Sequence, residues 1–143
     1  MRYNEVDAYL SQIIKFDHLI RNKRERYLEL YTEARSLGGI SDGVRVQTSG
    51  NVSGKVSDIV CQYVDLDREI RDLEARREAI IKVVESLPAD EYYIIHQVFV
   101  KGKLLKQVCA EAGRSREWGR DVKRRALERI ASILSHTAGG GDG

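Results

Sequence analysis

Residues 104–134 read LLKQVCAEAGRSREWGRDVKRRALERIASIL and decide the fold of the C-terminal part of the chain. Their apolar spacing predicts a short helix from Leu104 to Ala112, which Gly113 ends. Ser115 is a good N-cap for a longer helix that continues to about Leu134. The longer helix is expected to bury six side chains, namely Trp118, Val122, Ala126, Leu127, Ile130 and Ile133. Two helices around a tight glycine turn, the second rich in arginine, are typical of a helix-turn-helix.

A further short helix is predicted before this pair. Pro88 suits the start of a helix, and Asp90 and Glu91 favour its first turn. The apolar face of this helix contains five residues, namely Tyr92, Ile94, Ile95, Val98 and Phe99. Gly102, between two lysines, marks the turn that follows. Residues 87–135 are therefore predicted to form a three-helix module.

Two long segments upstream, residues 1–37 and 55–87, contain neither glycine nor proline. Residues around each segment repeat at alternating spacings of four and three, which is a heptad seam. The first seam comprises Val6, Leu10, Ile13, Asp17, Ile20, Arg24, Tyr27, Tyr31 and Ala34. The second seam comprises Val52, Val56, Ile59, Tyr63, Leu66, Ile70, Leu73, Arg77, Ile80 and Val84. The predicted fold class is all-α, with a long antiparallel, coiled-coil-like helical hairpin in residues 1–86 followed by the helix-turn-helix module.

Three seam positions are polar, and Asp17, Arg24 and Arg77 are expected to fix the register or to pair across the hairpin. Further apolar residues lie beside the seam, namely Ile14, Phe16, Leu19, Leu28, Leu30, Val60, Val64 and Ile81. Two helices alone cannot bury so wide a stripe, so a third layer is required. Either the C-terminal module or a second copy of the hairpin supplies it, and homodimerisation is therefore a hypothesis.

Glycines mark a connector and a tail. Residues 36–54 form a Gly-rich connector that is long for a helical hairpin. Its stretch Val44 to Gln47 suits a short extended piece, and the connector is either a mobile link or a contact loop. Residues 136–143 are expected to form a flexible tail.

Charge separates the hairpin from the module. The 143 residues carry 24 Lys and Arg against 22 Asp and Glu, a net charge of +2. Residues 1–100 contain 14 basic and 17 acidic residues, whereas residues 101–130 contain 10 basic and 4 acidic ones. A basic module behind a mildly acidic segment favours a nucleic-acid partner. With neither an apolar run of about 20 residues nor a signal-peptide pattern, we expect a cytoplasmic protein without a membrane partner.

No enzyme activity, cofactor or metal is predicted. The glycines of the connector lack the lysine and the preceding strand of a phosphate-binding loop. The three histidines, His18, His96 and His136, show no ligand spacing. Cys61 and Cys109 match no metal or redox pattern, and we expect two reduced thiols in packed helices.

Residues 87–130 resemble region 4 of sigma-70-type RNA polymerase factors, the domain that reads a promoter element. The resemblance depends on Leu87-Pro88, the turn at Gly102, Val108 with Gly113, Ser115-Arg116-Glu117 and Arg125-Ala126-Leu127. The whole chain is also similar to phage-encoded transcriptional regulators of the ArpU and RinA type, which place a helical arm and a loop like VQTSGN, residues 46–51, before a sigma-like helix-turn-helix.

Three positions depart from the sigma pattern. Gly119 stands where the family usually has an apolar residue, Trp118 where a polar residue is common, and Arg114 where the turn is usually apolar. We expect the Trp118 ring to fill the space that Gly119 leaves.

The resemblance implies that Arg116, Glu117, Arg120 and Asp121 face the DNA major groove. Arginine reads guanine with two hydrogen bonds, and a carboxylate accepts one from cytosine. Phosphate contacts are expected from the basic and hydroxyl side chains around the turn, namely Lys101, Lys103, Lys106, Ser115, Lys123, Arg124 and Arg125.

Two functions stay open. The first is a sequence-specific transcription regulator of phage or prophage origin that acts like sigma region 4 on double-stranded promoter DNA. In this case the helical hairpin would bind RNA polymerase or a second copy of the chain. The second is a DNA-packaging or scaffold component that oligomerises on DNA, as terminase small subunits do. The structural alternative to both is a three-helix bundle with a solvated basic face.

Overall fold

A computed structural model describes residues 2–37 and 50–140, with side chains for residues 2–37 and 54–137. Its helices are α1 (Tyr3–Ser36), α2 (Gly50–Glu85), α3 (Ala89–Ile95), α4 (Leu105–Ala112) and α5 (Arg116–Gly140). Helix α3 continues directly into a π-helical turn, His96–Val100. The described ranges contain helices and turns but no strand, which confirms the all-α class. No helix in these ranges combines the length and apolar character that crossing a membrane requires.

The chain divides into two compact units. The first unit comprises Met1–Phe16 with Arg76–Gly143, and the second comprises Asp17–Ala75. This grouping places the start of α1 and the end of α2 with the C-terminal module, whereas the sequence placed the boundary at residue 87. Within the first unit Asp7 Oδ2 lies 3.7 Å from Lys123 Nζ. Sequence periodicity identifies such helices but does not show which neighbour they pack against.

In the second unit α1 and α2 pack through Leu30, Ala34 and Ile59. Three tyrosines extend this cluster. The Tyr63 ring stands edge-on to Tyr27, with ring centroids 5.2 Å apart, and to Tyr31, with centroids 5.7 Å apart. Such edge-on pairs add modestly to the energy of apolar burial.

The predicted seam forms most of the buried face of the two long helices. The buried seam residues are Val6, Leu10, Ile13, Ile20, Ala34, Ile59, Ile70, Leu73, Ile80 and Val84. Arg24, one of the polar seam residues, is exposed and forms an ion pair with Glu74 of α2. Beside the seam, Leu28 is 62% exposed and Val64 46% exposed, so the second unit leaves part of the predicted apolar stripe uncovered.

The helices of the C-terminal module share a buried apolar cluster. Ile94 of α3, Val108 of α4 and Val122 of α5 are fully buried and form one cluster. Tyr93, Val98, Leu105 and Trp118 pack around this cluster and remain partly exposed. The predicted inward positions of α5 are confirmed for Val122, Ala126, Leu127 and Ile130, which are buried, whereas Trp118 and Ile133 are half-buried.

The turns between the short helices have the predicted glycine chemistry. Gly102 and Gly113 have positive φ angles of 73° and 68°. After α4 the Arg114 N–H donates to the Cys109 carbonyl at 2.9 Å, and the Gly113 N–H donates to the Ala110 carbonyl at 3.1 Å. This pair of bonds is a Schellman motif, which needs a left-handed residue at the position of Gly113.

Three local expectations need correction. Helix α5 runs to Gly140, so the predicted end near Leu134 is wrong and residues 136–140 of the predicted tail belong to the helix; residues 141–143 lie outside the described residues. No proline interrupts this stretch, and Thr137 Oγ1 donates to the Ile133 carbonyl at 3.0 Å. Helix α2 already begins at Gly50, inside the predicted connector, while Val44 to Gln47 lie outside the described residues. Cys109 is buried as expected, but Cys61 is exposed on α2.

Candidate nucleic-acid interface

Helix α5 begins with a capped first turn. Ser115 Oγ accepts a hydrogen bond from the Trp118 N–H at 3.1 Å, as expected of an N-cap serine. The cap fixes the backbone from which Arg116 and Glu117 project. Ser115 therefore has a structural role, and its hydroxyl proton is still available to a phosphate oxygen.

Close packing of α4 on α5 explains Gly119. This glycine is buried, and a Cβ atom placed on it would overlap Cys109 Sγ and lie 3.3 Å from Leu105 Cδ1. The Cys109 sulfur thus occupies the space beside Gly119, and the expectation that the Trp118 ring fills it is wrong. Trp118 instead packs around the cluster of Ile94, Val108 and Val122. The glycine is needed because the two helices approach closely.

The four predicted base-reading residues are all exposed in the first two turns of α5. Arg116, Glu117, Arg120 and Asp121 are spaced by one, three and one residues, which places them on one side of a helix. Val122 on the same helix is fully buried in the module core. The structure therefore presents the predicted residues as one solvated helix face.

The acidic and basic members of this face differ in their partners. Asp121 pairs with Arg124 at 2.5 Å and with Arg125 at 3.2 Å. The hydrogen bond from Arg124 holds the pKa of the Asp121 carboxyl below its ordinary value. By contrast, Arg116 and Arg120 form no ion pair within the part of the chain that the structure describes. The two arginines keep their donors available, whereas the Asp121 carboxylate is already occupied.

The predicted phosphate-binding residues also fall into two groups. Lys103 Nζ lies 2.9 Å from Glu111 Oε1, and Lys123 pairs with Asp7 while its ammonium lies 5.6 Å from the Phe99 ring centroid. Both lysines are partly buried. Lys101 and Lys106 are exposed and, among residues 2–37 and 50–140, have no ion pair. The uncompensated positive charge of the predicted set therefore lies on Lys101 and Lys106.

Arg124 and Arg125 occupy an intermediate position. Arg124 bridges Asp121 and Glu128, with its Nη1 3.1 Å from Glu128 Oε1, and both arginine side chains are about half-exposed. Exposed ion pairs contribute little to stability, so these arginines can exchange their partners for phosphates at small cost.

A contact from α1 also reaches this network. The Tyr3 hydroxyl donates to Glu128, and this bond is the main reason that the pKa of Glu128 lies below its ordinary value. The same bond, together with the neighbouring negative charge, raises the pKa of the Tyr3 hydroxyl. These residues are 125 positions apart, so no sequence pattern signals the contact.

Sequence reasoning also missed an ion pair between α3 and α5. Glu91 is only 3% exposed, and its Oε1 and Oε2 accept from Arg129 Nε at 2.8 Å and Nη2 at 3.1 Å. These hydrogen bonds raise the pKa of the Arg129 guanidinium above its ordinary value. The sequence assigned Glu91 only to the first turn of α3. Its actual role is to fix α3 against α5 with a two-pronged, directional contact.

No protein-family model, curated protein or solved structure matches the chain. Within the described ranges, no group of three or more His, Cys, Asp or Glu side chains is placed to hold a metal ion. The functional proposal therefore depends on the chain's own residues and their geometry.

Proposed function

We propose that this protein is a sequence-specific DNA-binding transcription regulator of phage or prophage origin, with the start of α5 as its recognition helix. The observation that carries the proposal is the pair Arg116 and Arg120. They lie one turn apart on the exposed face of α5, and neither forms an ion pair among the described residues. Arginines in this arrangement can each present two donors to guanine in the major groove.

Rigid support of α5 favours this function over a merely solvated basic face. The Schellman turn and the Ser115 cap fix the start of α5, and the close contact at Gly119 fixes it against α4. The Glu91–Arg129 pair fixes it against α3. A reading helix must hold its side chains in a defined position, and sites on packed helices are better defined than those on loops.

Phosphate binding is assigned first to Lys101 and Lys106. Both are exposed and uncompensated among the described residues; Lys101 lies in the turn before α4, and Lys106 lies in the first turn of α4. Arg124 and Arg125 add to this set when they exchange their carboxylate partners. These contacts would supply affinity that falls with salt, while the base contacts would supply specificity.

The long helices are proposed to form an antiparallel arm that binds RNA polymerase or a second copy. Contacts within the second unit support opposite helix directions, since Leu30 of α1 clusters with Ile59 of α2 whereas Arg24 pairs with Glu74. The exposed Leu28 and Val64 provide apolar surface for such a partner. The same two residues favour the alternative proposal, a packaging or scaffold component that oligomerises on DNA.

Selection of bound duplexes from a random DNA pool tests the proposal. The full chain is immobilised, bound DNA is amplified over several rounds, and the enriched sequences are compared. We expect a short consensus that contains guanines. Enrichment without any consensus would contradict sequence-specific regulation.

The molecular mass of the protein on DNA separates the two proposals. Light scattering at micromolar concentration is expected to give a monomer or a dimer for a regulator. A ring-sized mass together with weak sequence preference would favour the packaging component.

A further inference from the structure

We infer that Arg114 is an additional DNA-contacting residue, a phosphate anchor held in place by the Trp118 ring. The inference rests on the proposed function. Arg114 lies between the left-handed Gly113 and the cap residue Ser115, and its side chain is exposed. Sigma region 4 usually has an apolar residue at this position before the recognition helix, whereas this chain has Arg114.

The backbone of Arg114 is fixed by the turn. Its N–H donates to the Cys109 carbonyl at 2.9 Å as the outer bond of the Schellman motif. The next residue, Ser115, caps α5. The Arg114 side chain therefore starts from a defined position beside the first turn of α5.

The side chain is fixed as well. Its guanidinium carbon lies 5.1 Å from the centroid of the Trp118 ring, within the range of a cation–π contact. Trp118 is half-buried and packs around Ile94, Val108 and Val122, so the ring is a firm support. A guanidinium that stacks on a ring keeps its N–H donors directed outward in its own plane.

The charge of Arg114 is uncompensated. The described residues place no carboxylate within ion-pair distance of it. Residues 114–120 therefore contain three arginines without an ion pair among the described residues, namely Arg114, Arg116 and Arg120. The acidic residue in this stretch is Glu117. A prepositioned guanidinium loses less conformational entropy when it binds, and phosphate oxygens match its two parallel donors.

Phosphate is a better partner for Arg114 than a base. When the N-terminal turns of a recognition helix enter the major groove, the turn ahead of them lies near the groove edge, where the sugar-phosphate backbone runs. Arg116 and Arg120 lie on the helix itself and are the base-reading candidates. Arg114 would therefore set the depth and register of α5 without reading sequence.

The test compares Arg114→Gln and Arg114→Lys with the wild-type protein in the full chain. Fluorescence anisotropy gives Kd at several salt concentrations for a selected duplex and for its scrambled version. Arg114→Gln is expected to weaken binding to both duplexes equally, by about three- to tenfold, and to reduce the slope of log K against log salt by about 0.9. Arg114→Lys should keep the wild-type slope and lose only part of the affinity, because its charge remains but its planar donors are gone.

Arg26→Gln is the control, since it removes an exposed positive charge, paired with Glu29, from α1 within the second unit. The inference would be overturned if Arg114→Gln left the salt slope of log K unchanged or lost affinity only for the selected duplex. In either case, binding of the selected duplex by the wild-type protein would leave the proposed function intact. If the wild-type protein binds neither duplex, the proposed function fails and the inference fails with it.

Discussion

Replacing Gly119 with alanine is expected to destabilise the protein, although glycine is a poor residue for a helix interior. Gly119 lies in α5, and by helix propensity alone alanine would stabilise it by about 1 kcal/mol. The added Cβ would overlap the buried Cys109 sulfur and approach Leu105 Cδ1 to 3.3 Å. Overpacking of this kind costs about 1–3 kcal/mol, so after the gain in helix propensity the net expected loss in the free energy of unfolding is about 0–2 kcal/mol.

Two further variants isolate the cause. Gly54→Ala is the control, because Gly54 lies in α2 and a Cβ atom added to it would meet nothing within 4 Å among the described residues. This control variant should be more stable than the wild-type protein by up to about 1 kcal/mol. In a Cys109→Ala background the sulfur is gone, and Gly119→Ala should then be neutral or stabilising. The expected coupling between positions 109 and 119 is the relieved overpacking cost, about 1–3 kcal/mol.

Urea unfolding followed by far-ultraviolet circular dichroism measures the free energy of unfolding of each variant. Gly119→Ala should shift the midpoint to lower urea and Gly54→Ala to higher urea. If Gly119→Ala stabilises the wild-type chain as much as Gly54→Ala does, the close approach of α4 to α5 is refuted.

Asp121→Asn is expected to tighten binding to scrambled DNA, because it removes a negative charge, releases Arg125 and leaves Arg124 with Glu128 alone; unchanged affinity in an anisotropy titration would contradict this. Arg129→Met should lower the urea midpoint, because it leaves the buried Glu91 carboxylate without its partner; an unchanged midpoint would argue against this. The pKa of His96 lies below its ordinary value because desolvation by partial burial, and then the charge of a nearby lysine, disfavour imidazolium. The contribution of His96 to the free energy of unfolding should therefore fall as the pH drops from the ordinary histidine pKa of about 6.5 to the lower pKa of the folded protein. An NMR titration of His96 with a midpoint at or above the ordinary value would disprove the shift.

Local chemistry in the sequence predicted most of the helical framework. The seam residues Leu10 and Ile13 are buried because apolar residues spaced by three and four lie on one helix face. Gly113 ends α4 because a left-handed residue closes the Schellman turn, and Ser115 caps α5 through a bond to the third residue of the helix. Each of these features is decided within a few residues of the chain.

Contacts between distant residues could not be predicted in the same way. Glu91 and Arg129 are 38 positions apart, and neither residue alone indicates a buried pair. The reason for Gly119 was also hidden, because it depends on how closely Cys109 of another helix approaches.

The candidate site was predicted as a set of residues but not as a set of available charges. Arg116 and Asp121 are both exposed on α5, yet only the arginine lacks an ion pair among the described residues. Lys103 and Lys106 look equivalent in the sequence, whereas Lys103 is paired with Glu111 of α4. Which charges are compensated is decided by tertiary packing and by neighbours along each helix.

The affinity of Arg120→Ala for selected and scrambled duplexes tests the central claim most directly. Anisotropy titrations at one fixed salt concentration compare this variant with the wild-type protein, and thermal unfolding confirms that both are folded. Base reading by α5 predicts that Arg120→Ala loses about 1–3 kcal/mol on the selected duplex and much less on the scrambled one. Equal losses on both duplexes, or no loss on either, would contradict the assignment of the start of α5 as the base-reading surface.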